Sequence, residues 1–125
     1  MIATSIEQSK KLLELGINPE TADMCFDKGV HSIKAHLECD PIITYFTKDQ
    51  YNELVDRYVP AWSLNALIEL LPEIKGTPFV MQKFKTENNN YYNLEYEGII
   101  MLPYCKSLVD GCVEMIEKLK KENLI

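Results

Sequence analysis

The stretch Pro60-Ala-Trp-Ser-Leu-Asn-Ala-Leu-Ile-Glu-Leu-Leu-Pro72 holds a short helix with its start and stop signals on either side. The Ser63 hydroxyl can accept the first free amides, Trp62 and Leu67 stand at hydrophobic-staple spacing, and Pro72 forbids continuation. Leu64, Leu67, Ile68 and Leu71 fall on one stripe, so the helix is a core element. Just upstream, Thr47-Lys-Asp-Gln50 has capping-box spacing with Phe46 and Tyr51 as its staple. Tyr51, Leu54, Val55 and Tyr58 repeat with helical periodicity, which predicts a helix to Arg57 or Tyr58 that Pro60 ends.

Outward from this centre the pattern is mixed. Thr4-Ser-Ile-Glu7 predicts a capping box and a first helix to about Leu15. Gly16 then takes the left-handed position, with Ile17 folding back on Leu12. Asn18-Pro19 turns the chain, and Thr21 to Phe26 is short and extended or irregular. Ser32 to Glu38 alternates like a half-buried strand, and Ile42 to Phe46 is β-branched and aromatic enough for another. Ser107-Leu-Val-Asp110 starts a last helix whose stripe is Val109, Cys112, Val113, Ile116 and Leu119. Glu114 with Lys118 and Glu117 with Lys121 are favourable i, i+4 pairs. Gly111 costs that helix about 1 kcal/mol against alanine.

The clearest hairpin joins Phe79 to Thr86 with Tyr91 to Leu102 through Glu87-Asn88-Asn89-Asn90. A three-residue asparagine loop predicts Phe84 opposite Leu94 and Lys83 opposite Glu95. Val80, Gln82, Phe84, Leu94, Tyr96 and Ile100 would then share one face. Phe79, Met81, Lys83, Glu95, Glu97, Ile99 and Met101 would share the other. On that second face Phe79, Met81, Ile99 and Met101 form an apolar interface candidate that the Pro41 to Phe46 segment or a second copy of the chain could cover. The expected architecture is a single α+β domain over residues 1–125. It has a short antiparallel sheet around this hairpin and about four helices packed mainly on one face.

With 125 residues, 46% hydrophobic and 26% charged, the chain has an ordinary globular balance. No apolar run approaches the ~20 residues that span a bilayer, and the N-terminus lacks an apolar signal core, so a cytoplasmic location is expected. A formal charge of -6 and a single arginine, Arg57, oppose nucleic-acid binding. The lysines of the last helix are interleaved with glutamates, as on a solvated face. Cys25, Cys39, Cys105 and Cys112 read as reduced thiols in a chain with core enough to need no staples.

Three segments carry a likeness: TSIEQSKKLLELGINPETADM from Thr4 to Met24, PAWSLNALIELLP from Pro60 to Pro72, and CVEMIEKLKKENLI from Cys112 to Ile125. Together, and in this order, they resemble a family of small proteins carried by gut bacteria of the Bacteroides type and their prophages or mobile elements. The segments make up more than a third of the chain. That family has no assigned activity, so the resemblance implies no catalytic residue. The chain departs from it at Lys118, where relatives often carry an aromatic residue, and near Asn123, where they carry glycine.

Chemistry-bearing groups are few. Cys25, His31, His36 and Cys39 are potential zinc ligands, but only His36 and Cys39 have the spacing of a ligand pair. In a strand from Ser32 to Glu38, moreover, residues five apart face opposite ways. No metal site and no cofactor is therefore expected. Cys105, just before the last helix, is the best-placed thiol nucleophile, yet no histidine can be assigned to it. Glu95 and Glu97, two apart on one strand, resemble a carboxylate pair that the register would set against Lys83. Tyr91, Tyr92 and Tyr96 crowd the second hairpin strand, with Tyr104 beyond, and could stack on a sugar or a nucleobase. There is no phosphate loop, no nucleophile elbow and no HExxH. The expectation is a non-catalytic interaction or accessory protein of a mobile element, with an unknown protein partner or a second copy as its ligand. The alternatives are a small hydrolase or metal-dependent enzyme, or a ligand-binding domain using the tyrosines.

Overall fold

The computed structural model describes residues 3–27, 36–38 and 58–125. The expected strand Ile42 to Phe46, most of the helix before Arg57, and the candidate ligands His31 and Cys39 lie outside them. The described chain is α+β and divides into two compact units, Ile2–Ala66 and Leu67–Ile125.

The first unit starts with α1 (Ile6–Glu14) and a 3-10 turn (Pro19–Thr21), followed by β1 (Met24–Asp27), β2 (His36–Glu38) and β3 (Tyr58–Ala61). The three strands form an antiparallel sheet ordered β2-β1-β3. Tyr58 is thus a strand residue and not the end of a helix. Pro60, which lacks an amide donor, is tolerated because β3 lies at the sheet edge. The end of α1 is as expected: Gly16 has a φ of 88°, and the amides of Gly16 and Ile17 donate to the carbonyls of Leu13 and Leu12.

Its start is shifted by one residue. Ser5 is the cap, exchanging side-chain and backbone hydrogen bonds with Gln8. Thr4, expected in that role, is buried and otherwise engaged. Its amide donates to the Trp62 carbonyl (2.9 Å), and its hydroxyl accepts the Trp62 amide (3.0 Å) and bonds the Ser9 hydroxyl (2.8 Å). A long-range bridge has overridden a local cap.

Trp62 is fully buried, and its indole N–H donates to the Thr21 hydroxyl (2.9 Å). The next residue, Ser63, donates its amide (2.8 Å) and its hydroxyl to the Asp23 carboxylate, and the same hydroxyl oxygen accepts the Ala66 amide (3.2 Å). Ser63 therefore starts α2 (Leu64–Glu69) as its sequence predicts, with Asp23 holding the capping oxygen in place. Leu67 and Leu71 are buried, and Leu64 and Ile68 half-buried.

The second unit holds β4 (Phe79–Thr86), β5 (Asn89–Tyr96), β6 (Ile100–Cys105) and α3 (Leu108–Lys121), the strands pairing antiparallel in that order. The hairpin register corrects the expected one. Glu87 and Asn88 alone form the turn, so that Thr86 faces Asn89, Phe84 faces Tyr91, Lys83 faces Tyr92, Met81 faces Leu94 and Val80 faces Glu95. Lys83 and Glu95 point to opposite sides. The offset of three residues inverts the face of β4 relative to β5. Phe79 and Met81 now share the inner face with Leu94, Tyr96 and Leu102, whereas Val80 and Phe84 share the outer face with Tyr91, Glu95 and Met101. Ile99 lies in the turn between β5 and β6. The four residues expected to make one apolar patch are consequently split between two faces and a turn.

Burial accounts for this choice. Leu94, Tyr96 and Leu102 are at most 5% exposed, and α3 lies over their face. Val109, Cys112, Val113, Met115, Ile116 and Leu119 of that helix are all buried. Ser107 caps it through the Asp110 amide (3.3 Å), and both expected ion pairs form, Glu114 with Lys118 (3.9 Å) and Glu117 with Lys121 (3.2 Å). At its end Asn123 takes a φ of 54°, a conformation that favours glycine, while the Leu124 amide donates to the Leu119 carbonyl. Asparagine is among the few other residues that tolerate this conformation.

Gly111 has a packing reason. A Cβ there would lie 2.5 Å from Leu94 Cδ1 and 3.2 Å from Cys105 Sγ. Overpacking costs about 1–3 kcal/mol, against about 1 kcal/mol that alanine gains in helix propensity. Gly111→Ala is therefore expected to lower stability by about 1 kcal/mol in urea titrations. A stabilised variant would refute the tight contact.

Candidate functional site

The outer face of the β4-β5-β6 sheet carries the chain's exposed large apolar residues among those described: Val80 (42%), Met101 (50%) and Tyr104 (65%), with Met81 (40%) on the opposite face of β4. Three aromatic rings meet on the outer side. Phe84 and Tyr91 stack with centroids 5.7 Å apart, and Tyr104 stands edge-on to both, at 5.4 Å and 5.7 Å.

A β-bulge positions Tyr104. Tyr92 faces Cys105 and Leu94 faces Leu102, so Pro103 and Tyr104 together oppose Asn93. The Tyr104 amide donates to Asn93 Oδ1 (3.2 Å), and Tyr104 takes a φ of 58°. A bulky side chain in the left-handed region costs roughly 1–2 kcal/mol. Aromatic edge-to-face contacts return about 0.5–1.5 kcal/mol each, enough to hold the ring in place.

The expected tyrosine cluster is thereby redistributed. Tyr91 belongs to the outer trio, and Tyr92 and Tyr96 point to the inner side. Tyr96 is fully buried, packs on Phe79 at 5.5 Å and donates its hydroxyl to the Pro72 carbonyl (2.8 Å). It is a core residue. Tyr104, and not Tyr92 or Tyr96, completes the cluster with Tyr91. Tyr104 is named with the cluster in the sequence, and the signal for its outward position is Pro103 directly before it, since a proline in a strand marks an edge or a bulge.

The remaining candidates do not converge. Cys105 is half-buried, its thiol donating to the Leu102 carbonyl (3.6 Å). Burial, and secondarily the charge of Glu114, push its pKa up, the opposite of what a nucleophilic thiolate needs. Glu97 lies in the turn after β5, so it forms no strand pair with Glu95. Cys25 is buried in β1, opposite Glu38, and His36 of β2 faces Asp27. Among the described residues no group of three histidine, cysteine, aspartate or glutamate side chains is placed to hold a metal ion. Cys25, Cys105 and Cys112 form no disulfide. Among the described residues no helix is long and apolar enough to cross a membrane.

No protein-family model, no curated protein and no solved structure matches the chain.

Proposed function

We propose that this chain is a non-catalytic interaction protein whose partner docks on the outer face of the β4-β5-β6 sheet. The observation that carries this reading is Tyr104. It is the most exposed large apolar side chain described, held at a backbone cost against Phe84 and Tyr91 on the face opposite α3. Stability does not call for that expense, since the buried residues of this sheet lie on the inner side. Exposed tyrosine, phenylalanine and methionine are the residue types that anchor protein interfaces. Gln82, Asn93 and Glu95 share the outer face of β4 and β5 with the rings, and among the described residues of these two strands no cation does, which fits a protein surface better than a phosphate backbone. The resemblance of the segments Thr4 to Met24, Pro60 to Pro72 and Cys112 to Ile125 to proteins of prophages and mobile elements supports reading this interaction as an accessory function of such an element.

The test is a quantitative pull-down from the encoding organism, comparing wild type, a Tyr91→Ala, Tyr104→Ala double variant, and Glu114→Ala on the exposed side of α3. Loss of hot-spot aromatics is expected to cut recovery of specific partners roughly tenfold or more, with Glu114→Ala unchanged. Equal recovery by a double variant of unaltered circular dichroism would end the proposal.

A further inference from the structure

The two edges of the β4-β5-β6 sheet differ in their readiness to pair. On β6, Pro103 lacks an amide donor and the bulge at Tyr104 breaks the strand, both common devices for blunting an edge. β4 is eight residues long, without proline or bulge, and six of its eight side chains are exposed. Among the described residues no strand pairs with its outer side.

Its geometry fixes which groups are on offer. The two-residue turn makes Thr86 and Asn89 the closing hydrogen-bonded pair. Alternation from there directs the backbone groups of Phe84, Gln82 and Val80 towards β5. Those of Phe79, Met81, Lys83 and Lys85 are left at the free edge. A two-fold axis normal to the sheet must pass through a residue that faces its own copy, because opposed residues always share a face.

Only a few centres give a long overlap. Centred on Lys83, the pairing sets two ammonium groups directly opposite each other, which is destabilising. Centred on Met81, it joins only Phe79 to Lys83. Centred on Gln82, it joins Phe79 to Lys85 without a like-charge pair. Val80 then faces Phe84 of the other copy, an aromatic with a β-branched residue. Met81 and Lys83 exchange both backbone hydrogen bonds across the axis, through groups the monomer leaves at its edge.

We propose that two copies of this chain pair antiparallel through β4, centred on Gln82, to make one six-stranded sheet. The pairing is isologous and uses the unblunted edge of the β4-β5-β6 sheet in each copy, so it closes as a dimer and does not propagate as a fibre. Val80 and Phe84 from both copies join on the outer face, giving the dimer one continuous apolar strip between its two aromatic trios.

Proline substitution tests the edge selectively. Where an amide points away from the sheet, proline removes nothing the monomer uses. Sedimentation equilibrium of wild type is expected to give a dimer, and Met81→Pro a folded monomer by circular dichroism. The register has its own readout. Non-hydrogen-bonded opposed residues sit about 4.5 Å apart at Cα, within disulfide reach. Gln82→Cys should therefore cross-link two chains under mild oxidation far faster than Val80→Cys or wild type. A wild type monomeric at its highest soluble concentration, a Met81→Pro variant that remains dimeric, or Gln82→Cys cross-linking no faster than Val80→Cys would each overturn the proposal. If Met81→Pro fails to fold, the cross-linking result decides alone.

Discussion

Trp62→Ala is expected to lower the stability of the chain by about 3–5 kcal/mol, the range for emptying a buried tryptophan site. Because whole-domain stabilities are about 5–15 kcal/mol, this is a large share of what is available. Three features of Trp62 set the size of this effect. It is fully buried, so the whole ring is lost from the core. Its backbone is bonded in both directions to Thr4, and its indole N–H to Thr21, joining segments 58 and 41 residues apart in sequence. The following residue starts α2 on the Asp23 carboxylate. Trp62→Phe keeps most of the volume and should lose far less. Thr4→Val should cost about 1–3 kcal/mol, because the buried Trp62 amide and Ser9 hydroxyl each lose a partner. Urea titrations of the three variants check the order. A loss below about 1 kcal/mol for Trp62→Ala would show that the site collapses without penalty.

The same residues separate what could be read in the sequence from what could not. Gly16, Ser63 and Ser107 mark helix ends through contacts within a few residues, and all three act where the local pattern places them. The stripe of α3 is buried throughout. Thr4 does not cap α1 because its hydroxyl is claimed by Trp62, a partner that no local pattern announces. The hairpin register failed for a related reason. A charge pair and an apolar pair favoured one alignment, but the structure obeys the burial of Leu94 and Tyr96 under α3, and admits Glu87 at a φ of 50° to achieve it. The outer aromatic trio was only partly visible. Tyr91 stands out in the sequence, but the asparagine-loop register sets Phe84 opposite Leu94, and Tyr104 depends on a bulge that appears only when three strands are aligned.

The second large effect is alkaline unfolding of the Leu67–Ile125 unit. Cys112 is fully buried, and its thiol is pushed up to about 12, first by burial and then by the nearby Cys105. Tyr96, equally buried, is pushed up to about 12 by burial and by Cys112. Below an unfolded thiol pKa of about 8.5–9 both states keep the proton, so this contribution to stability is fully present and does not change with pH. Above it the unfolded chain releases the proton and the native chain retains it. The native state then binds more protons, and stability falls as pH rises towards 12. Each pH unit in that window removes about 1.4 kcal/mol for the thiol, and the phenol adds a similar slope above about 10. Titrations in urea at increasing pH should therefore show the midpoint dropping steeply between pH 9 and pH 11. Cys112→Ala is expected to start from a lower stability at neutral pH, because it leaves a small void, yet to decline less steeply until the tyrosine takes over. Tyr96→Phe should lose the upper part of the slope instead. A wild type whose midpoint is unchanged across this range, or a Cys112→Ala variant with the same slope as wild type, would show that the buried thiol is not what couples the fold to pH.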